Sequence, residues 1–312
     1  MNATAHPPTW KIMSAFATIY FVWGSTFLAI RVGVLAMPPL LFAAMRFLTA
    51  GILLFGWMLI RGERTPRGRE WMSVALLSFL IFLCDYGLLF WAEQRVPSGI
   101  AAVMMATIPA FIAVGEILLL RTQKFTIGLV AALLMGIAGV AVLMSTSVSM
   151  GGAPVDKIGA AALIVASVTW SLASVISRKL QLPPAKAMSS GAQMLLGGIM
   201  LSVAAIASGE LRSFKPGNVS PAAWFSLLYL IAFGSILGFT AYVWLLHHES
   251  PTKVGTYAYV NPVVAVVCGF FLGGEALGLR TIVGTVFILL SVLLITTKSK
   301  PVEKRVTILA EE

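Results

Sequence analysis

Apolar runs of about twenty residues follow one another along almost the entire sequence. A helix needs about 20 apolar residues to cross the roughly 30 Å hydrocarbon core of a bilayer. Ten runs reach this length, at about 12–34, 40–60, 71–92, 98–120, 126–146, 158–180, 187–208, 222–246, 253–273 and 280–297. Charged residues make up only 11% of the 312 residues, whereas a soluble domain carries roughly 25%. The sequence therefore predicts an all-α membrane protein with ten transmembrane helices.

A motif that runs from Trp23 to Arg31 returns in altered form from Trp170 to Arg178. Each copy has a Trp, then a small residue, then an Arg eight positions after the Trp, with a Pro-Pro pair further on. Corresponding features in two halves are typical of transporters built from repeats. Because five spans per half is an odd number, the halves must insert upside down relative to each other. We predict two inverted five-helix repeats around a central cavity, at residues 1–148 and 156–297, and a tail at 298–312.

The loop cations predict the orientation of the chain. Fifteen of the 22 Lys and Arg residues lie on the side of the N terminus, 6 lie on the opposite side, and Arg46 lies within a span. Cations are retained on the cytoplasmic side of a membrane. We therefore expect a multi-pass protein of the bacterial inner membrane with both termini, and the tail, in the cytoplasm. This distribution also accounts for the net charge of +10, and we expect no nucleic-acid partner because no motif supports one.

Four features are predicted at the middle of the membrane. Trp23 lies roughly 17 Å along its helix from one face, and Trp170 roughly 18 Å along its helix from the other face. Pro109 and Pro262 each lie about halfway along their helices. Paired helix interruptions in two halves point to a site at the repeat interface. An indole ring suits an aromatic or amphipathic solute, although both tryptophans could instead simply pack between helices.

Two charged residues are predicted within the hydrocarbon. Arg46 and Asp85 each lie about 9 Å below the outer surface, where a charge costs at least about 2.5–3.5 kcal/mol. Each should therefore face the protein interior and find a partner, and we predict that the two form a pair. The pair is either a fixed structural ion pair, or a site at which Asp85 exchanges its Arg partner for a proton or a substrate ammonium.

Further candidates lie beside the proline interruptions. Tyr257 and Asn261 precede Pro262 and share one helix face, while Tyr259 points elsewhere. The glutamates near span ends (Glu93, Glu116 and Glu275) are interpreted as solvated or Arg-paired anchors. The predicted substrate-binding residues are Trp23, Gly24, Tyr86, Met105, Pro109, Trp170, Ser174, Tyr257 and Asn261.

Signatures of enzymes and metal sites do not occur in the sequence. There is no serine-hydrolase, zinc-protease or phosphate-loop motif, and the two cysteines, Cys84 and Cys268, lie in separate apolar runs. We expect no enzyme activity, no cofactor and no metal. The expected partners are a small-molecule substrate and the lipid bilayer, and the expected state is a monomer, with a dimer as the alternative. A membrane-embedded enzyme and a sensor or scaffold are the rival classes of function.

Several of these residues resemble a known family. Trp23-Gly24-Ser25, Arg46-Phe47, Pro109, and Pro262 followed by Gly274-Glu275 resemble the EamA family of the drug/metabolite transporter superfamily. The resemblance implies a ten-helix carrier with a central cavity lined mainly by spans 1, 3, 4, 6, 8 and 9. It also implies export of amino acids, including aromatic ones, by alternating access. Other solutes, such as drug-like cations or carboxylates, are the alternatives.

The sequence departs from the family pattern at two places. Leu120-Arg121-Thr122 stands where the first half usually has Gly-Glu, and Ser171 replaces the Gly of the second motif. A cationic-drug exporter would be expected to rely on a glutamate deep in span 1, which this chain lacks.

Overall fold

The computed structural model describes residues 7–96, 98–122, 124–148, 156–264 and 279–298. These residues are almost entirely helical and contain no β-strand. The helices are α1 Thr9–Val34, α2 Pro39–Ile60, α3 Arg69–Glu93, α4 Ser98–Met105, α5 Ile108–Leu120, α6 Ile127–Val148, α7 Lys157–Ile176, α8 Lys186–Ala207, α9 Glu210–Ser213, α10 Pro221–His248, α11 Pro251–Val254, α12 at 257–264 and α13 Leu279–Lys298.

Six of the described helices are long and apolar enough to cross a membrane, namely α1, α2, α3, α7, α8 and α10. Shorter apolar helices occur in α5, α6 and α13. The prediction of an all-α membrane protein is therefore confirmed. The predicted ninth span continues beyond the described residues, and Cys268, Gly274, Glu275 and the predicted tail after Lys298 also lie outside them.

Capping residues and prolines mark the starts of several helices. Asp156 Oδ1 accepts a hydrogen bond from the Gly159 amide at the start of α7. Ser220 and Ser250 cap α10 and α11 in the same way, and each is followed by a proline. A proline costs nothing in the first turn, because its missing N–H would have no partner there.

Wide π-helical turns interrupt α3 and α10 at Phe79–Tyr86 and Leu230–Phe239. A π-helical turn inserts extra residues into an α-helix and rotates the side chains that follow it, and such turns are frequent at functional sites. Both helices are the third span of their respective predicted repeats. Asp85 and Tyr86 lie at the end of the first of these turns.

Glycines allow α2 and α8 to touch along their backbones. A Cβ atom on Gly51 would lie 2.3 Å from the Leu195 backbone nitrogen, and one on Gly198 would lie 2.4 Å from the Leu48 nitrogen. Close approach of this kind is how helices associate in lipid, where the hydrophobic effect does not drive them together. The α6 and α13 helices form a second extensive pair, while α1 packs on α10 and α7 packs on α3.

Candidate functional site

The break between α4 and α5 is filled by the protein itself. Pro109 lies in the first turn of α5, and the chain turns at Ala106 and Thr107 before it. Two serines of α7 reach into the break, with Ser167 Oγ 3.4 Å from the Met104 carbonyl and Ser171 Oγ 3.3 Å from the Ile108 carbonyl. These carbonyl groups therefore meet α7 hydroxyls, and Pro109 does not line the cavity described below.

A second break separates α11 from α12 at Gly255 and Thr256. The Thr256 hydroxyl lies 2.6 Å from the Tyr20 hydroxyl of α1, which fixes the break against the first helix. The new helix starts at residue 257, so Tyr257 lies in its first turn and Asn261 lies one turn later. Pro262 is inside α12 and not at the break itself, which was not expected from its position in the sequence.

Five aromatic rings from five helices meet beside these breaks. The rings of Trp23 and Trp170 are 5.5 Å apart and nearly perpendicular. Tyr257 lies 4.8 Å from Trp23, and Tyr86 lies 5.7 Å from Trp170. Tyr242 contacts both tryptophans, at 5.1 and 5.0 Å. We call Trp23, Tyr86, Trp170, Tyr242 and Tyr257 the aromatic cluster. The contacts of Trp23 with Trp170 and Tyr257, and of Tyr86 with Trp170, are edge-to-face, an arrangement that is favourable for aromatic rings.

Four rings of the aromatic cluster, those of Trp23, Tyr86, Trp170 and Tyr257, line a small closed cavity of about 40 Å³. Seven of the predicted site residues line it: Trp23, Asp85, Tyr86, Met105, Trp170, Tyr257 and Asn261. Pockets that hold organic ligands measure roughly 300–1,000 Å³. The cavity therefore has room for water but not for a metabolite, and the structure represents a closed arrangement of the site.

Three residues that line this cavity carry buried polar atoms without hydrogen-bond partners among the described residues. Asp85 and Asn261 are only 1% and 4% exposed, and Oδ1 of each forms no hydrogen bond to the described residues. Trp170 Nε1 likewise forms no hydrogen bond of good geometry, although the Tyr242 hydroxyl is close by. The other indole N–H, on Trp23, donates to the Gly234 carbonyl at 3.0 Å. Buried polar atoms are nearly always hydrogen-bonded, so unpartnered ones mark a place for a ligand or water.

The predicted ion pair between Arg46 and Asp85 is wrong. Among the described residues three ion pairs lie within 4.0 Å, and none joins these two side chains. Arg46 instead donates from Nε to Ser235 Oγ at 2.8 Å, and its guanidinium lies over the Tyr86 ring at 5.2 Å. The carboxylate within its electrostatic range is that of Glu93. Tyr86 therefore stands between Arg46 and the cavity, and Arg46 does not line it.

Two other predicted residues act next to the cavity and not in its wall. A Cβ atom on Gly24 would lie 2.6 Å from the Val264 Cβ, so Gly24 permits the close approach of α1 to α12. The Ser174 hydroxyl bonds to the Tyr242 hydroxyl and so supports a ring of the aromatic cluster.

The arginines that end the two Trp motifs hold matching helix ends. Arg31 donates to the Glu93 carbonyl at the end of α3. Arg178 donates to the carbonyls of Leu246 and Glu249, at 2.5 and 2.8 Å, at the end of α10. A cation at a helix C terminus satisfies free carbonyl groups and complements the helix dipole. We call these contacts the Arg31 clamp and the Arg178 clamp.

The glutamates near the clamps are buried and are not solvated anchors. Glu93 is fully buried, and both of its carboxyl oxygens lack a hydrogen-bond partner among the described residues, although Arg31 and Arg46 are within electrostatic range. Glu116 is 2% exposed and accepts a hydrogen bond from the Thr252 amide at 2.9 Å. From the sequence, the alternative to solvation was an arginine near each glutamate. For Glu116 the structure agrees, since Arg178 is within electrostatic range of its carboxyl group.

Sequence reasoning missed Tyr242, although the repeat contains a signal for it. Tyr86 is followed by Glu93 seven residues later, and Tyr242 is followed by Glu249 at the same interval. Aligned in this way, Tyr242 is the counterpart of Tyr86, and the counterpart of Asp85 is Ala241. One half of the molecule therefore supplies the carboxylate, while both halves supply a tyrosine.

Comparison with known proteins agrees with this architecture. The chain matches the model of the EamA-like transporter family over residues 10–145 and 157–297. The inner membrane transporter YedA of Escherichia coli (strain K12) is 37% identical over 269 residues, which cover 85% of this chain and 84% of YedA. Protein PecM of Dickeya dadantii (strain 3937) is 27% identical over 276 residues, or 88% of each chain. A crystal structure of another protein, 21% identical, superimposes with a TM-score of 0.75 over 94% of this chain and 98% of that chain, which shows a shared fold. The chain therefore belongs to the EamA-like transporter family, as its motifs implied, and is a multi-pass membrane transporter.

Proposed function

We propose that this transporter exports small organic metabolites from the bacterial cytoplasm by alternating access, and that it has ten spans in two inverted repeats. Amino acids, including aromatic ones, are the substrates to test first, because the aromatic cluster offers ring faces in the centre of the molecule. Drug-like cations and carboxylates are the alternatives. The observation that carries the proposal is the closed cavity, in which tryptophans from corresponding helices of the two halves meet beside unpartnered polar atoms.

The packing of the helices supports two inverted repeats. The contact of α1 with α10 corresponds to that of α7 with α3, while α2 packs on α8 and α6 packs on α13. Both α3 and α10 contain a wide π-helical turn. Each motif arginine also holds the C-terminal end of the third long helix of its own half, Arg31 that of α3 and Arg178 that of α10. A two-fold relation between the halves accounts for all of these correspondences together.

The clamps support alternating access. In the proposed topology the Arg31 clamp lies toward the outer face and the Arg178 clamp toward the cytoplasm, with the closed cavity between them. Releasing one clamp at a time would open the cavity to one side while the other side stays shut. A groove of about 1,020 Å³ reaches Ala241, next to Tyr242, from the predicted cytoplasmic side, where its other walls include Lys11 and Lys186. This groove provides an approach for a solute from the cytoplasm.

Among the described lining residues of the cavity, Asp85 has no histidine, cysteine or second carboxyl group with which it could form a catalytic pair. Asp85 is the single acidic residue among these lining residues, which include no His, Cys or Ser. General acid–base chemistry needs a positioned base beside the reacting group. The lining therefore favours solute binding over a membrane-embedded enzyme.

Transport should be tested by counterflow in proteoliposomes with a panel of amino acids, carboxylates and cationic dyes. Trp170→Ala removes a ring from the centre of the aromatic cluster, and we expect it to reduce flux of the transported solute at least about tenfold. Trp57→Ala is the matched control, because Trp57 is 55% exposed on the outside of α2. Equal flux in wild type and Trp170→Ala for every transported solute would refute the proposed site.

A further inference from the structure

Two of the three unpartnered polar atoms on the residues that line the cavity are acceptors. Asp85 and Asn261 each carry a buried Oδ1 without a partner among the described residues, and the third atom is the donor Nε1 of Trp170. The hydroxyl groups of Ser174 and Tyr242 bond to each other, and the Trp23 N–H is engaged by Gly234. A bound solute must therefore bring hydrogen-bond donors to satisfy these oxygens, because a buried acceptor left without a partner costs free energy.

The described lining of the cavity contains one carboxyl group and no basic side chain. The carboxyl group is that of Asp85, and no Lys, Arg or His is among the described lining residues. Cys84, Tyr86, Tyr242 and Tyr257 are within electrostatic range of Asp85. Arg46 is held behind Tyr86 by Ser235, and its range includes Glu93. A carboxylate of a solute would therefore meet another carboxyl group and no positive charge among the described lining residues.

Backbone amides at the two helix breaks are not free to bind the carboxylate of a solute in place of a basic side chain. At the start of α5, the amides of Ala110 and Phe111 donate to the Thr107 carbonyl. At the start of α12, the amides of Ala258 and Tyr259 donate to the carbonyls of Gly255 and Thr256. Helix N termini can bind anions when their amides are free, but here these amides are used within the turns.

The aromatic cluster suits a cation for an independent reason. Trp23, Tyr86, Trp170 and Tyr257 line the cavity, and rings arranged around a site attract an ammonium group through their negative faces. An ammonium group beside Asp85 would neutralise a buried charge that is otherwise costly. It would also donate to the unpartnered oxygens of Asp85 and Asn261.

We infer that the central cavity selects small aromatic amines with a net positive charge, binding their ammonium group between Asp85 and Asn261, and discriminates against free amino acids and organic anions. The inference rests on the proposed transport function, and among its candidate substrates it favours cations over the free amino acids and the carboxylates. An amino acid carries both an ammonium group and a carboxylate. The cavity can bind the ammonium group, but it offers no partner for the carboxylate.

Four indole compounds of similar size test this selection. Tryptamine and tryptophanamide are cations, tryptophan is a zwitterion, and indole-3-propionate is an anion. Binding is measured on purified protein in detergent by ligand-dependent thermal stabilisation, and flux is measured separately by counterflow in proteoliposomes. We expect both cations to bind at least about tenfold more tightly than tryptophan, because a like charge beside Asp85 opposes the carboxylate, and we expect no binding of indole-3-propionate.

Substitutions at the carboxylate provide the decisive comparison. Asp85→Asn keeps the shape of the side chain and should weaken binding of both cations about 10- to 100-fold, which is the usual effect of losing a charge-assisted hydrogen bond. Asp85→Glu keeps the charge and should retain the preference for cations even where affinity falls. Glu63→Gln, which removes a charge from an exposed position, is the control and should change nothing.

The outcomes separate this inference from the proposed function. Binding of the cations that depends on Asp85, without any flux, supports the inference and overturns transport. Flux of tryptophan or indole-3-propionate that equals flux of the cations overturns the inference and leaves transport standing. Failure of all four compounds to bind the wild type overturns the inference, as does cation binding that is unchanged in Asp85→Asn.

Discussion

Replacement of Arg178 by alanine should open the cavity to the cytoplasm in the proposed topology. Arg178 donates two hydrogen bonds to the end of α10, to the carbonyls of Leu246 and Glu249. A hydrogen bond that involves a charged group contributes about 1.5–3 kcal/mol. Taking about 1.5 kcal/mol for each bond gives about 3 kcal/mol, and about 1.4 kcal/mol corresponds to a factor of ten. The population open to the cytoplasm should therefore rise roughly 100-fold.

The Arg31 clamp predicts a smaller effect in the opposite direction. Arg31 holds the Glu93 carbonyl with one hydrogen bond, so Arg31→Ala should raise the population open to the outer face roughly tenfold. Arg178→Lys retains a cation and can keep one of the two bonds, so it should fall between wild type and Arg178→Ala. Arg61→Ala, at an exposed arginine after α2, is the control.

Cysteine labelling in membrane vesicles of known orientation measures both effects. In a background without Cys84 and Cys268, a reporter cysteine replaces Ser174, which is 1% exposed, or Thr26, which is 6% exposed and lines the cavity. A membrane-impermeant maleimide should label the Ser174→Cys reporter faster from the cytoplasmic face when Arg178 is replaced. It should label the Thr26→Cys reporter faster from the outer face when Arg31 is replaced. If neither replacement changes labelling, or both increase it from the same face, the clamps do not act as gates.

Three further predictions concern stability in detergent. Gly51→Ala should destabilise the protein by about 1–3 kcal/mol, because the added Cβ would lie 2.3 Å from a backbone nitrogen of α8. Gly56→Ala is the control and should not lower the melting temperature, because no atom lies within 4 Å of its added Cβ. Arg46→Ala should destabilise by about 3 kcal/mol, since it removes one of the two cations within electrostatic range of buried Glu93, and a double-mutant cycle with Glu93→Gln should show coupling. Additive effects would argue against this partnership. Burial raises the pKa of the Glu210 carboxyl above its ordinary 4.5. Because the folded protein then binds this proton more tightly, the stability of wild type relative to Glu210→Gln should fall as pH rises from 4.5 through the raised pKa. A pH-independent difference would contradict that assignment.

The arrangement of the site could be predicted only in part from the sequence. The two tryptophans were identified as a pair because their depths follow from helix rise and span boundaries, which are local quantities. The placement of Tyr257 and Asn261 on one face followed from helical periodicity, as did the different direction of Tyr259, whose hydroxyl donates to the Leu133 carbonyl. These inferences required no knowledge of how the helices pack.

Other assignments failed because they depended on packing. The predicted depths alone paired Arg46 with Asp85. In the structure a wide π-helical turn ends at Tyr86, and the Tyr86 ring lies between the arginine and the cavity. Gly24 and Pro109 carry the family motif, yet one provides space for α12 and the other restarts a helix. A sequence motif shows which residues occur together. It does not show which of them line the binding site and which only position the helices around it.

The sequence by itself determined that this chain is an all-α membrane transporter of its family, because long apolar runs, loop charges and a repeated motif are properties of local segments in a bilayer. Only the tertiary structure decided which rings meet, which arginine holds which helix end, and which oxygens remain without partners. These depend on the rotation of each helix about its axis and on its neighbours. In lipid, that rotation is determined by close contacts such as those of Gly51 and Gly198, which no single segment of the sequence specifies.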